Sequence, residues 1–197
     1  SYVYEVADTP VERIANAEDM SFNGTDQYIQ APNSSIFNLG TNYSFSFWVN
    51  NAILNTGTQI QGLITCDSSS GASGTRGWLI FQYGQELKIV AQDPSGNSLT
   101  VSNFFTTNNT WIHVGITYDG TTIKAYKDGS FFLGSTPAAG AMVLNANSQD
   151  LIIGNNAFAL GRFFEGKLDE IAIFNTALSA SKIQQIYDAT AVVDGEV

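Results

Sequence analysis

The sequence predicts an all-β fold, and three of its features do so. Only 13% of the residues are charged while 12% are aromatic, with abundant Thr, Ser, Asn and Gly; that mixture suits short strands joined by polar turns better than helices. Two stretches, Tyr43–Val49 and Trp111–Tyr118, alternate with a period of two, as a strand with one buried face must. Two Asp-Gly pairs, Asp119-Gly120 and Asp128-Gly129, separate three consecutive strand-like runs. That arrangement is an antiparallel meander, and meanders belong to sandwiches and barrels. At 197 residues, 44% of them hydrophobic, the chain fits one domain with a single core over about residues 20–188 and linker-like ends.

Met20 to Gln30 places two strand-like pieces around Asn23-Gly24, a hairpin or corner signal. In Tyr43–Val49, Phe45, Phe47 and Val49 share one side, with Ser44, Ser46 and Trp48 on the other. Gly62–Thr65 and Trp78–Tyr83 flank Asp67–Gly77, a Ser/Gly-rich exposed loop and a candidate binding loop. Leu87–Gln92 and Ser98–Val101 flank the Asp93-Pro-Ser-Gly-Asn turn. Ile112, Val114, Ile116 and Tyr118 point inward in the next strand, followed by Thr122–Lys127 and Phe131–Gly134. Leu151–Gly154 and Gly166–Phe174 complete the strands. One short helix is expected over Ser179–Ala189, with Ile183, Ile186 and Tyr187 on one face and Ser179 as N-cap.

Eighteen acidic residues against eight basic ones leave a net charge of −10, which repels phosphate backbones and anionic lipid. Nucleic acid and membrane insertion are therefore not expected, and an extracellular, cell-surface or virion setting is. No apolar stretch approaches the roughly 18 residues of a membrane helix, and Ser1 to Pro10 carry no signal-peptide pattern, as in a mature form or an excised fragment. Cys66 is the sole cysteine, so no intrachain disulfide forms and the thiol is expected buried and inert.

Catalytic patterns are missing from the sequence: there is no nucleophile elbow, phosphate loop, dinucleotide fingerprint or EF-hand. His113 is the lone histidine and lies mid-strand, where packing is the expected role. Asp169 and Glu170 are adjacent, so a regular strand would point them to opposite faces and they cannot act as a pair on one sugar bond. No catalytic residue is assigned.

Six separated motifs occur in order: Met20-Ser-Phe-Asn-Gly-Thr-Asp-Gln-Tyr-Ile, Tyr43-Ser-Phe-Ser-Phe-Trp-Val, Trp111-Ile-His-Val-Gly-Ile-Thr-Tyr-Asp-Gly, Tyr126-Lys-Asp-Gly, Ile152-Ile-Gly, and Gly166-Lys-Leu-Asp-Glu-Ile-Ala-Ile-Phe-Asn-Thr-Ala-Leu-Ser. Together they resemble the laminin-G-like jelly roll of the concanavalin A-like lectin and glucanase superfamily, in its three-signature subfamily. The resemblance implies a jelly-roll sandwich of two curved antiparallel sheets with binding loops along one rim. It also implies a structural calcium where the first and last strands meet. Transferred onto this chain, the ion would sit at the Asn23-Gly24-Thr25-Asp26 corner, held by Gly24, Asp26 and Asp169. A plain Asx-type turn at Asp26 and a solvent-facing Asp169 are the alternative.

A sugar site needs an aromatic face for the apolar side of the ring and planar polar groups for the hydroxyls. Two stretches carry that mixture: Arg76, Trp78 and Tyr83 beside the Ser/Gly loop, and Asn155, Asn156, Phe158 and Arg162 after Leu151–Gly154. A shared rim would make them one site, although Trp78 also opens a strand and could fill the core. The expected function is a non-catalytic carbohydrate-recognition or adhesion module that binds a glycan or surface polysaccharide. The alternative is an architectural domain, such as a phage decoration or tail-fibre part or an adhesin spacer, binding protein neighbours. A glycan hydrolase or lyase comes third.

Overall fold

The computed structural model describes residues 19–54, 59–67, 77–91, 98–137, 142–146, 148–156 and 162–191. They form a jelly-roll sandwich of two six-stranded sheets. The first runs β1 (Met20–Asn23), β12 (Glu165–Phe174), β3 (Tyr43–Asn51), β8 (Trp111–Tyr118), β9 (Ile123–Lys127) and β10 (Ser130–Ser135). The second runs β2 (Ile29–Ala31), β11 (Leu151–Ile153), β4 (Ile60–Cys66), β5 (Trp78–Tyr83), β6 (Glu86–Ala91) and β7 (Ser98–Val101). Every ladder is antiparallel. The Asp119-Gly120 and Asp128-Gly129 turns join β8, β9 and β10 as the meander required, with both glycines at positive φ.

The core lies between the sheets, and period two builds it. Tyr43, Phe45, Phe47 and Val49 of β3 face inward beside Ile112, Val114, Ile116 and Tyr118 of β8. Leu63, Trp78, Ile80, Leu87 and Ile89 close it from the second sheet. The Phe45 and Trp78 rings meet across the layer at 5.3 Å between centroids. Each side chain so buried contributes about 1.5–3 kcal/mol of transfer free energy. Cys66 is buried in this layer, where burial and the nearby carboxylates of Asp150 and Asp67 push its thiol pKa up, so it stays protonated and unreactive.

Helix α1 (Ala180–Thr190) covers the outer face of the first sheet. Ser179 caps it, its hydroxyl accepting from Lys182 N at 3.3 Å. Gly115 leaves the gap that Ile183 fills: a Cβ there would stand 2.8 Å from Ile183 Cγ2. Trp48 stacks on Tyr187 at 5.6 Å and donates from Nε1 to Thr190 Oγ1 at 2.8 Å. Ser44 ties down the approach to the helix, donating to Thr176 O and accepting from Leu178 N, both at 2.8 Å. Ser44, Ser46 and His113, on the outward side of their strands, are therefore buried. His113 Nε2 pairs with Ser46 Oγ at 2.8 Å, and its ring lies against Trp48 and Tyr187.

Asn23-Gly24 is a corner, not a hairpin, since β1 and β2 belong to different sheets. Asn23 Oδ1 organises it by accepting from Thr25 N at 3.0 Å and Asp26 N at 3.2 Å. Gly24 holds φ +72°, and a Cβ there would meet Glu165 Cβ at 2.9 Å, so both conformation and space call for glycine.

Candidate functional site

The register of β4 decides where the expected binding residues can meet. The Ser/Gly loop leaves β4 beyond Cys66 and returns at Trp78, its pairing partner. The other segment leaves β11 beside Leu63, with Gly154 N donating to Leu63 O at 3.0 Å, and returns with Gly62 N donating to Arg162 O at 3.0 Å. Its flanks therefore lie against the Gly62 and Leu63 part of β4, toward the strand's start, whereas the Ser/Gly loop leaves from the strand's other end. The described flanks leave β4 in opposite directions, and Trp78, Asn155 and Asn156 are buried, so the described residues of the two stretches do not present one common surface. Arg76 and Phe158 lie outside the described residues.

Trp78 is not a ligand-binding platform. It is fully buried, and its Nε1 donates to Phe37 O at 3.1 Å. Alternation along β5 puts Trp78 and Ile80 on the core face and Leu79, Phe81 and Tyr83 on the other. Tyr83 therefore belongs to the outer face of the second sheet, at the Gly62 end, opposite Ile60 in the β4 ladder. Asn155 and Asn156 reach the same end but are buried. Gly62 has no side chain because the Asn155 carbonyl lies 2.4 Å from where its Cβ would be. Asn155 O also accepts from Thr65 Oγ1 at 3.0 Å, pinning the crossing segment onto β4. These two amides shape the site and do not form its surface; Arg162, half-buried, stands at the segment's return.

Cross-strand pairing supplies the polar groups that flank Tyr83. Tyr83 pairs with Glu86, Phe81 with Lys88, and Lys88 with Thr100, all on the outer face. Lys88 Nζ lies 4.8 Å from the Tyr83 ring centroid and 3.1 Å from Glu86 Oε2. Ser102 donates to Glu86 Oε1 at 3.3 Å. The result is one half-exposed aromatic ring on a buried Phe81 floor, bordered by an ammonium, a carboxylate and hydroxyls. Glu86, Lys88 and Thr100 were not singled out from sequence, although extending the period-two pattern of β5 across the hairpin into β6 would have found two of them.

The residues expected to hold calcium do not come together. Asn23 of β1 pairs with Glu165 of β12, whereas Asp169 lies four residues further along β12 beside Trp48, about 13 Å away at strand rise. Asp169 Oδ1 accepts from Glu170 N at 2.8 Å within a bulge in which Glu170 takes φ +49°. Burial, then the Asp169 charge, holds the Glu170 carboxyl above its ordinary pKa. At the corner, Asp26 Oδ1 already accepts from Asn23 Nδ2 at 2.8 Å, and the acidic residue against Gly24 is Glu165. Among the described residues no three His, Cys, Asp or Glu side chains converge. The set Gly24, Asp26 and Asp169 does not fit a single ion.

Residues 23–184 match Laminin_G_3, of the concanavalin A-like lectin/glucanases superfamily. The chain belongs to this family. Solved structures of the same fold include domain 4 of AbnA, a GH43 extracellular arabinanase from Geobacillus stearothermophilus, in complex with arabinotriose (19% identity, 88% of this laminin-G-like chain and 76% of that one, TM-score 0.61). The CBM40 of the Ruminococcus gnavus IT-sialidase, bound to α2,3-sialyllactose, shares 9% identity over 90% of this chain and 97% of that one, with a TM-score of 0.64. The binding domain of Paraclostridial Mosquitocidal Protein 1 shares 18% identity over 92% of this chain and 46% of that one, with a TM-score of 0.65. Among curated proteins none matches the chain in sequence. Two of these neighbours of the laminin-G-like domain are thus seen with a bound sugar, and the third is a binding domain. Among the described residues no helix is long and apolar enough to cross a membrane.

Proposed function

We propose that this laminin-G-like domain is a non-catalytic carbohydrate-recognition module whose glycan lies on the outer face of the second sheet at the Gly62 end. The observation that carries the reading is the ladder Tyr83, Glu86, Lys88 and Thr100, which sets an aromatic ring beside charged and hydroxyl groups on a rigid surface. The ring covers the apolar side of a sugar, and the carboxylate, ammonium and hydroxyl groups bond to its hydroxyls. Sugar-bound neighbours of the same fold support the ligand class, and their setting supports an extracellular or cell-surface place for the domain. We also propose a structural calcium, held by ligands other than Gly24, Asp26 and Asp169 together.

Replacement of Lys88 by Met tests the role of the polar border. Isothermal titration with a glycan retained on an array should show weaker binding by about 1–3 kcal/mol, the usual loss when a buried polar contact forfeits its partner. Unchanged affinity would move the ligand off this face. A glycan array without a hit, together with a tight protein neighbour, favours the architectural alternative, including a virion setting.

A further inference from the structure

We infer that the outer face of the first sheet carries a second, weaker sugar-binding site, centred on Trp111, so that the domain holds glycan on both of its faces. Register sets residues of neighbouring strands in one outward row: Trp111 of β8 opposite Asn50 of β3, Asn50 opposite Lys167 of β12, and Lys167 opposite Ser21 of β1. Parity settles which way they point, because Ile112, Val49, Leu168 and Phe22, their neighbours in sequence, all belong to the core. Trp48 and Asp169 lie in the next row, and helix α1 ends there with Thr190 on the Trp48 indole. Beyond it, Trp111 and Asn50 are half-buried, and Lys167 and Ser21 are exposed.

Trp111 differs from the other tryptophans in what its N–H does. Trp78 donates to Phe37 O and Trp48 to Thr190 Oγ1, so both of those indoles are bonded within the fold. Among the described residues the Trp111 N–H and the Asn50 amide have no hydrogen-bond partner. A half-exposed aromatic with a donor at its edge, one strand spacing of about 5 Å from a planar amide, suits a sugar ring. The indole meets the ring's apolar side, and the N–H and the amide bond to its hydroxyls. From Trp111 to Lys167 the row covers two strand spacings, about 10 Å, which gives room for a short oligosaccharide.

The chemistry of the row selects this ligand class. Asp19 neutralises Lys167 at 2.9 Å, and Asp169 stands in the next row, so an anion finds no net positive charge there. The row sets one half-exposed ring among polar groups, which is not the contiguous apolar surface that marks a protein-docking site. Charge-assisted hydrogen bonds are roughly twice as strong as neutral ones, and the amide at the centre of the row is neutral, so this site is weaker than the one at Tyr83. The two sites lie on the outward faces of different sheets, stacked about 10 Å apart. They face away from each other, and each takes its own glycan strand.

A printed glycan array probed with the wild-type chain, Tyr83→Ala, Trp111→Ala and the double variant tests this. Tyr83→Ala should keep weak binding to glycans that the wild type retains, and adding Trp111→Ala should lower that remainder by about tenfold. Melting curves check that each variant is folded, and Asn50→Ala, whose amide bonds to no described residue, gives the same reading if Trp111→Ala unfolds. Titration of a retained glycan into Tyr83→Ala should also change the tryptophan emission, with Trp78 sealed in the core. No binding left in Tyr83→Ala, or a remainder indifferent to both added substitutions, would overturn the inference and leave the Tyr83 site standing. Binding abolished by Trp111→Ala and untouched by Tyr83→Ala would support it and remove the Tyr83 site. An array without a hit for the wild type would overturn both.

Discussion

Acidification from pH 6.5 to pH 4 should remove about 3 kcal/mol of stability through one residue, His113. Burial lowers its pKa from 6.5 to about 4, because a charged imidazolium would be sealed beneath Trp48, Tyr187 and helix α1. Whichever nitrogen carries the neutral ring's proton, the imidazolium has an N–H at Nδ1, which is buried without a hydrogen-bond partner. Above pH 6.5 the ring is neutral in both folded and unfolded chains and gives no pH dependence. Between pH 6.5 and 4 the unfolded chain binds a proton that the folded chain refuses, so stability falls as pH falls, and below about 4 the loss is complete. At about 1.4 kcal/mol per pKa unit the sum is about 3 kcal/mol, or roughly 6–12 °C in melting temperature for a domain of this size. Glu170, with its raised pKa, acts in the opposite direction, gaining stability as it protonates. His113 is the sole histidine, so melts at half-unit pH steps beside those of His113→Gln isolate the effect. The variant should start less stable and show a flatter profile between pH 6.5 and 5. A histidine proton resonance that titrates near pH 6.5 in the folded protein, or wild-type and variant profiles of the same shape, would refute the reasoning.

Gly115→Ala should destabilise the domain by about 1–3 kcal/mol in urea denaturation, since its Cβ would stand 2.8 Å from Ile183 Cγ2 and push the helix off the sheet; an unchanged midpoint would mean that α1 does not dock there. Chelation should lower the melting temperature if calcium binds only the folded chain, and in that case Asp169→Ala should leave the affinity unchanged, because Asp169 lies four residues along β12 from the Asn23 corner. Identical melts with calcium and with chelator remove the metal from the account.

Sequence and structure agree where the controlling physics is local. Alternation in β3 and β8 placed Phe45, Phe47, Val49, Ile112, Val114 and Ile116 on the buried side, where they are, because strand geometry alone sets that face. Ser179 and the Ile183–Tyr187 spacing gave the helix for the same reason. What the helix would cover was not local, although small residues at the outward positions Ser44, Ser46 and Gly115 were the available sign. Trp78 has the aromatic character of a ligand platform, but its shared parity with Ile80 along β5 places it in the core. The two loops looked like neighbours because both follow strands, yet their positions depend on the β4–β11 register, which joins residues about ninety apart in sequence. Gly24 and Asp169 were linked through resemblance, and four residues of β12 separate them.

The most direct test of the central claim is a glycan array probed with the wild-type domain and with Tyr83→Ala, followed by titration of any retained glycan. Tyr83 is half-exposed on the outer face and absent from the core, so its removal should leave the melting temperature nearly unchanged. Affinity should fall by about tenfold or more, equivalent to about 1.4 kcal/mol. A glycan bound equally well by both proteins, or no glycan bound at millimolar concentration, would contradict the account.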